Sequence, residues 1–464
     1  MIRASISAHI LTLLYFFRCA CGVPSMNALP DLLFCDKGLM LRLGFNARQL
    51  EEGLTQRGAG RRQGERANLP LDPEMLSNTV ARYGFASMRQ AMVDFLKLIW
   101  KSTPDKPRRI MMIIDGTLIE LGESAVGGGW TKRQEKIKTA AGLKTIDRSF
   151  YGYKLVWAYE PSTGLPLGMA FGTADQDEKH FTDELLGMAG EILGGLGKVH
   201  KVALDKGYFS GPLLYELDRA GLLFVTPAKA GTNIREEALN AAGGGGGFRT
   251  HRARRQDGRG HDVEVVGIEG LETFSTYAPA SKVKDGEHVD RHKKDFQAKK
   301  INAVVLVKHS GYKHPDMVVL TNGPVRNPFG SYDDYDDRSL SENKNRCLKQ
   351  DFKLCRSPQR NYEAACVHCH FVVMAFAAAT GHMRYLEEQE RLAGDGKPST
   401  LGSYYRRTAR ENRDQVIVFY ENKYGIFYLS ELMLLRGVAV KRPPRRAAKT
   451  VEEIFSRSGV PDTS

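Results

Sequence analysis

The chain has little of what would place it in a membrane or an oxidising compartment. Its 464 residues hold only seven cysteines (Cys19, Cys21, Cys35, Cys347, Cys355, Cys366, Cys369), an odd set with no even framework. A chain this long buries a core without covalent staples, so a reducing, cytoplasmic setting is expected. No segment reads as the roughly 20 apolar residues that span a bilayer, and no membrane partner is expected. The stretch from Ala4 to Phe17, behind Arg3, imitates a signal peptide but carries Ser5, Ser7, His9 and Thr12 and no clean small-residue cleavage site. Met26 opens a more ordinary sequence, as though translation began there. Acidic residues are also short: 67 Lys and Arg against 54 Asp and Glu leave a net charge of +13. Such a surplus calls for a polyanionic partner, nucleic acid first.

What is present is an ordinary packed chain, 42% hydrophobic and 26% charged, which excludes collagen-like and wholly disordered classes. Residues 1–105 read as mainly helical, with Phe85, Met88, Met92, Phe95, Leu96 and Ile99 at helical spacing. Within them Arg57, Arg61, Arg62 and Arg66 interleave with glycines as a basic loop. Residues 106–232 read as an α/β layer. The apolar run Ile110 to Ile114, ending on Asp115, suits a strand buried on both faces. Strands over Tyr151 to Tyr159 and Leu165 to Thr173 flank the turn tetrad Pro161 to Gly164. A helix from Glu178 to Leu193, a strand from Val199 to Leu204 ending on Asp205, a helix from Pro212 to Ala220 and a strand from Leu222 to Val225 follow. The order predicts an antiparallel start with parallel additions.

Residues 233–331 change texture: the glycine run Gly243 to Gly247 precedes Arg249, Arg252, Arg254, Arg255 and Arg259, and three short strands follow. This is a β-rich insertion with a mobile basic loop. Residues 332–395 return to helix, broken near Ser357-Pro358, and residues 396–464 end in a basic tail with Lys441, Arg442, Arg445, Arg446 and Lys449.

At about 100° per residue, Tyr335, Arg338, Glu342 and Lys349 fall within a sector of about 60° on one helix. Nothing in their interval is a proline, so the helix is expected to be continuous. Taken alone the stripe is a solvated face. Asp115, Asp205 and Glu342 together point elsewhere, since three converging carboxylates repel unless a cation neutralises them. Hard oxygen ligands favour Mg²⁺ or Mn²⁺, and two such ions about 4 Å apart support in-line displacement at phosphorus. Arg338 and Lys349 would grip phosphates beside them. Asp333, Asp334, Asp336 and Asp337 are alternative acids, the last two read as charges at a helix N-terminus. Glu120 and Glu123 read as surface charge.

These residues resemble the DDE transposases of bacterial insertion sequences, in the group whose last acid lies in a Tyr, Arg, Glu, Lys signature. The signature reads Tyr335-Asp-Asp-Arg338-Ser-Leu-Ser-Glu342 with Lys349 beyond, the first aspartate Ile-Ile-Asp115-Gly-Thr, and the second Leu-Asp205-Lys-Gly207-Tyr208. The resemblance covers about residues 108 to 350. It implies a ribonuclease-H-like mixed sheet flanked by helices, interrupted by the β-rich insertion and preceded by a helical, DNA-end-binding region. It implies that Asp115, Asp205 and Glu342 hold two divalent cations, and that Tyr335, Arg338 and Lys349 contact DNA. Cleavage at element ends, hairpin intermediates, strand transfer into target DNA and a homodimer that holds both ends come with it.

Three rivals are weaker. Asp115-Gly-Thr resembles the first motif of haloacid-dehalogenase-type phosphatases, but the nucleophile position holds Ile113. Cys366-Val-His368-Cys369-His370 has half the spacing of a zinc knuckle, in a stretch that reads as buried helix with free thiols. A DNA-binding protein without catalysis, derived from a decayed or domesticated element, fits the net charge as well as an enzyme does.

Overall fold

The opening run Ile-Met-Met-Ile-Ile forms the start of β1 (Ile110–Glu120), with Ile110, Met112, Ile113 and Ile114 buried, because a strand between two others and covered on both faces has no use for polar alternation. The computed structural model describes residues 6–53, 55–56, 68–122, 125–139, 142–254, 260–278, 283–284, 287–288, 299–311, 317–392, 415–420 and 423–428, with a few single positions beyond. The basic loop of Arg57 to Arg66, Glu123, Arg255, Arg259 and the tail of Lys441 to Lys449 lie outside the described residues. Two units are distinguished, Val93–Cys347 and Met1–Met92 with Leu348–Ser464.

The first unit is built on one ten-stranded sheet. After β1 come β2 (Gly129–Thr139), β3 (Gly142–Tyr159), β4 (Pro166–Thr173), helix α1 (Thr182–Leu193), β5 (Val199–Leu204), helix α2 (Gly211–Arg219) and β6 (Leu223–Pro227). β3 pairs antiparallel with β1, β2 and β4, whereas β5 joins β1 in parallel and β6 joins β5 in parallel. The expected antiparallel start and parallel additions are therefore present, in a mixed α/β sheet of ribonuclease-H-like type. The turn tetrad works through Glu160, whose buried carboxylate accepts from the backbone and hydroxyls of Ser162 and Thr163 at 2.6–3.0 Å, while Gly164 takes φ +75°.

Helix α3 (Asn233–Gly243) leads through the glycine run to β7 (Phe248–Arg252), β8 (Val263–Leu271), β9 (Ile301–His309) and β10 (Val318–Thr321). The β-rich insertion continues the core sheet, because β10 pairs antiparallel with β6 and carries β9, β8 and β7 beyond it. Arg249 and Arg252, expected in a mobile loop, sit on β7 and are held: Arg249 by Glu264 at 2.5 Å, Arg252 by both oxygens of Asp333 at 2.8 Å. Helices α4 (Pro328–Asp336) and α5 (Leu340–Gln350) close the series. The expected continuous helix is broken by a 3-10 turn at Asp337–Ser339. Asp333, Asp334 and Asp336 consequently end α4 instead of beginning a helix, and Arg252 and Lys201 offset Asp333 and Asp334 against the unfavourable dipole.

The second unit is mainly helical among its described residues. The signal-like segment is the helix Ala8–Ala20, capped by Ser7, with Leu11, Leu14, Tyr15 and Cys19 buried. It packs on the helix Tyr362–Leu392, where the Tyr15 and Phe371 rings lie 4.9 Å apart. Contrary to the sequence reading, Tyr362–Glu388 is long and apolar enough to cross a membrane; small residues raise its mean hydropathy, and 78% of its apolar window is buried inside the protein. His368 Nδ1 accepts from the Tyr15 hydroxyl (3.0 Å) and Nε2 donates to the Lys353 carbonyl (3.1 Å). Burial lowers His368 to about 3 and His370 to about 4, and raises Cys19 to about 12, so these are neutral core groups.

Candidate active site

The parallel register of β1 on β5 pairs Ile114 with Leu204, which makes Asp115 and Asp205 the next residues on adjacent strands. Asp205 ends its strand, as expected. Asp115 does not: β1 runs on to Glu120, because past Ile114 it keeps its pairing with β3 after losing β5. Asp205 caps the following 3-10 turn through Lys206 N (2.6 Å), and Thr226 on β6 donates to its carbonyl (3.3 Å).

Arg338 joins the two acids. Its Nη2 stands 3.1 Å from Asp115 Oδ1 and 3.4 Å from Asp205 Oδ2. The other Asp115 oxygen accepts from Asn345 Nδ2 at 2.7 Å, and Asn345 Oδ1 accepts from the indole of Trp157 at 2.9 Å. Trp157 is the cross-strand partner of Asp115 on β3, so strand register and helix α5 fix the same carboxyl from two sides. Tyr159, also on β3, bonds Ser341 at 3.0 Å, and Ser341 donates back to the Arg338 carbonyl at 2.6 Å. These contacts dock the 3-10 turn and the start of α5 onto the sheet.

Burial raises Asp115 above its ordinary value against the pull of Arg338 and Asn345, and the charge of Asp205 adds to the rise. Tyr335 stands by the same guanidinium; burial raises its phenol and Arg338 opposes the rise. Two of the sequence-derived DNA contacts, Tyr335 and Arg338, thus lie at the acid pair. Lys349 is partly buried near the end of α5. Glu342 is exposed, one turn before Asn345 on α5, and is not brought together with Asp115 and Asp205. Among the described residues no three His, Cys, Asp or Glu side chains already stand together as a metal site.

The chemistry of the site nonetheless suits a divalent cation. Two adjacent carboxylates bracket a single guanidinium that occupies the position of a cation, and the hydroxyl of fully buried Tyr208 has no hydrogen-bond partner. Sequence reasoning missed Asn345, Trp157 and Glu178. Asn345 lies on the Arg338, Glu342, Lys349 stripe, seven residues past Arg338, and that spacing was available. Glu178 was read only as the first residue of the helix Glu178 to Leu193, at the end of the polar run Asp175-Gln-Asp177-Glu178.

Residues 106–377, more than half the chain, match the family described as Transposase DDE domain, and the chain belongs to that family. A search of curated proteins finds no match. Among solved structures, a piggyBac transposase synaptic complex with hairpin DNA is similar at TM-score 0.38 and 11% identity, over 99% of this chain and 82% of that one. At that score the likeness adds no weight, and the fold rests on the strand topology and the family.

Proposed function

We propose that the chain is a cytoplasmic cut-and-paste transposase of the group with the Tyr-Arg-Glu-Lys signature, acting on element ends and target DNA as a homodimer. The observation that carries this is the β1 and β5 register that sets Asp115 beside Asp205 under Arg338. Asp115 and Asp205 would hold Mg²⁺ or Mn²⁺, with Glu342 brought in from α5. When bound, such ions activate the attacking oxygen and stabilise the leaving one in displacement at phosphorus. The chain's own part is to orient. Asn345 and Trp157 hold the Asp115 carboxylate at a set angle, and Tyr335 and Arg338 offer a hydroxyl and a guanidinium to the terminal phosphate. Lys349 extends the phosphate contacts along α5, and hairpin intermediates follow from membership of that group. The domain roles, with the N-terminal helical region reading element ends, belong to the same reading.

The test is incubation of the purified chain with its own flanking DNA ends and Mg²⁺. Nicked and hairpinned products are expected, lost in Asp115→Asn, Asp205→Asn and Glu342→Gln with end binding retained. Undiminished cleavage by the two aspartate variants would sink the reading. The exposed position of Glu342 favours a second reading, a DNA-binding protein without catalysis. Cleavage that depends on Glu342 excludes it.

A further inference from the structure

Asp205 has a second outlook. Besides facing Arg338 it lines an open groove of about 900 Å³, together with Glu178, Lys154, Arg133 and Lys206. Glu178 opens the 3-10 turn Glu178–Phe181, which Asp177 caps by accepting from Lys179 N at 3.2 Å. Its carboxyl lies against the backbone immediately after Asp115. A Cβ on Gly116 would stand 2.4 Å from Glu178 Cδ, so the glycine of the Asp115-Gly-Thr motif is what admits this carboxyl.

Side chains alternate along a strand, so position 116 faces away from Asp115 and Glu178 approaches from the opposite face of the sheet. Past Ile114, however, β1 has lost β5. The ladder that would separate the two faces ends there, and Glu178 lies near enough to feel the charges of both Asp115 and Asp205. Tyr208 belongs to this place: it is fully buried, its hydroxyl has no partner, and the acids acting on it are Glu178, Asp115 and Asp205. A buried phenol near three carboxylates and bonded to none of them is a hydrogen-bond donor that the core of the fold does not use. The chain's own cations neutralise the acids meanwhile, Arg338 on the aspartates and Lys154 (3.6 Å) and Arg133 (4.0 Å) on Glu178.

We propose that Glu178 is a further carboxylate of the divalent-cation site, joining Asp205 and Asp115 where the ladder between β1 and β5 ends, with the Tyr208 hydroxyl donating to the cation's water shell. The proposal rests on the metal-dependent reading above and adds a ligand to it. Hard oxygen donors of this kind suit Mg²⁺ or Mn²⁺, and the ion would free Arg133 to meet phosphate in the groove while Lys154 stays tied to the Gln176 carbonyl at 2.7 Å.

The test is Mn²⁺ binding by the full chain without DNA, followed by calorimetry and by the paramagnetic resonance of free Mn²⁺. Glu178→Gln should weaken binding about tenfold or more, as loss of a metal-site contact does, and Glu178→Asp should recover part of it. Wild-type affinity in Glu178→Gln, alongside lost affinity in Asp115→Asn and Asp205→Asn, overturns the role of Glu178 and leaves the active-site reading standing. Wild-type affinity in both aspartate variants defeats that reading instead. If Glu178→Gln does not fold, Tyr208→Phe decides, because it removes only the hydroxyl: unchanged Mn²⁺ affinity there overturns the proposal.

Discussion

Arg338 carries two carboxylates on one guanidinium, and its side chain is only 17% exposed. Removing one member of a buried ion set strands the others without water to replace the lost partner. Arg338→Gln should therefore cost about 3 kcal/mol of stability in the absence of metal, and Mn²⁺ should restore most of it. Denaturant unfolding with and without Mn²⁺ measures both; an Arg338→Gln protein as stable as the parent would show that the clamp bears no load. Proton binding gives a second expectation. Burial is the largest influence on Asp115 and Glu178 and raises both. A carboxyl whose folded-state pKa exceeds its unfolded value holds its proton more tightly in the fold. Metal-free stability then falls as pH rises from the ordinary carboxylate range through the raised values, and levels off above them. A divalent ion competes with those protons. The thermal shift produced by Mg²⁺ should be full at neutral pH and fade as pH drops through the raised values, whereas a shift that persists unchanged into mild acid would argue against carboxylate ligands.

At the scale of elements, the long strand β3 divides its labour at Gly152. Residues before it pair with β2, and residues after it run between β1 and β4. A Cβ on Gly152 would stand 2.0 Å from the Ile119 carbonyl oxygen, so the close approach of β3 to β1 depends on glycine. Gly152→Ala is expected to destabilise by about 1–3 kcal/mol through forced backbone movement, read as a lower thermal midpoint. Parent-like stability would mean that the sheet yields there without strain. The buried halves of this sheet were legible: Ile110 to Ile114, Tyr151 to Tyr159 and Val199 to Leu204 are apolar because neighbours cover them. β2 and the first half of β3 were not legible, since their described side chains are mostly exposed and the ladder itself, not burial, pairs them. The break between α4 and α5 was equally hidden. No proline or glycine marks Asp337 to Ser339, and the turn is set by Tyr159 holding Ser341, which in turn holds the Arg338 carbonyl.

For the whole molecule, a surplus of +13 favours a polyanion, and the number of phosphates its basic residues neutralise sets how DNA binding responds to salt. Each phosphate neutralised contributes about 0.9 to the slope of log affinity against log salt on duplex DNA. Arg338→Ala and Lys349→Ala should each flatten that slope by about one unit, measured by titrating binding of element ends at several salt concentrations; slopes that stay put would remove both from the phosphate contacts. The sequence by itself determined which apolar runs form the sheet's buried strands, that Asp115 and Asp205 follow two of those runs, and that the chain is basic, because burial and charge are written locally in residue type. Only the tertiary structure decided that the parallel register sets those aspartates side by side, that Arg338 and Asn345 reach them while Glu342 stays in solvent, and that Glu178 arrives through the space left by Gly116. Those outcomes depend on strand register, a helix break and the absence of one side chain, and none of these is fixed by the residues on either side of it in the chain.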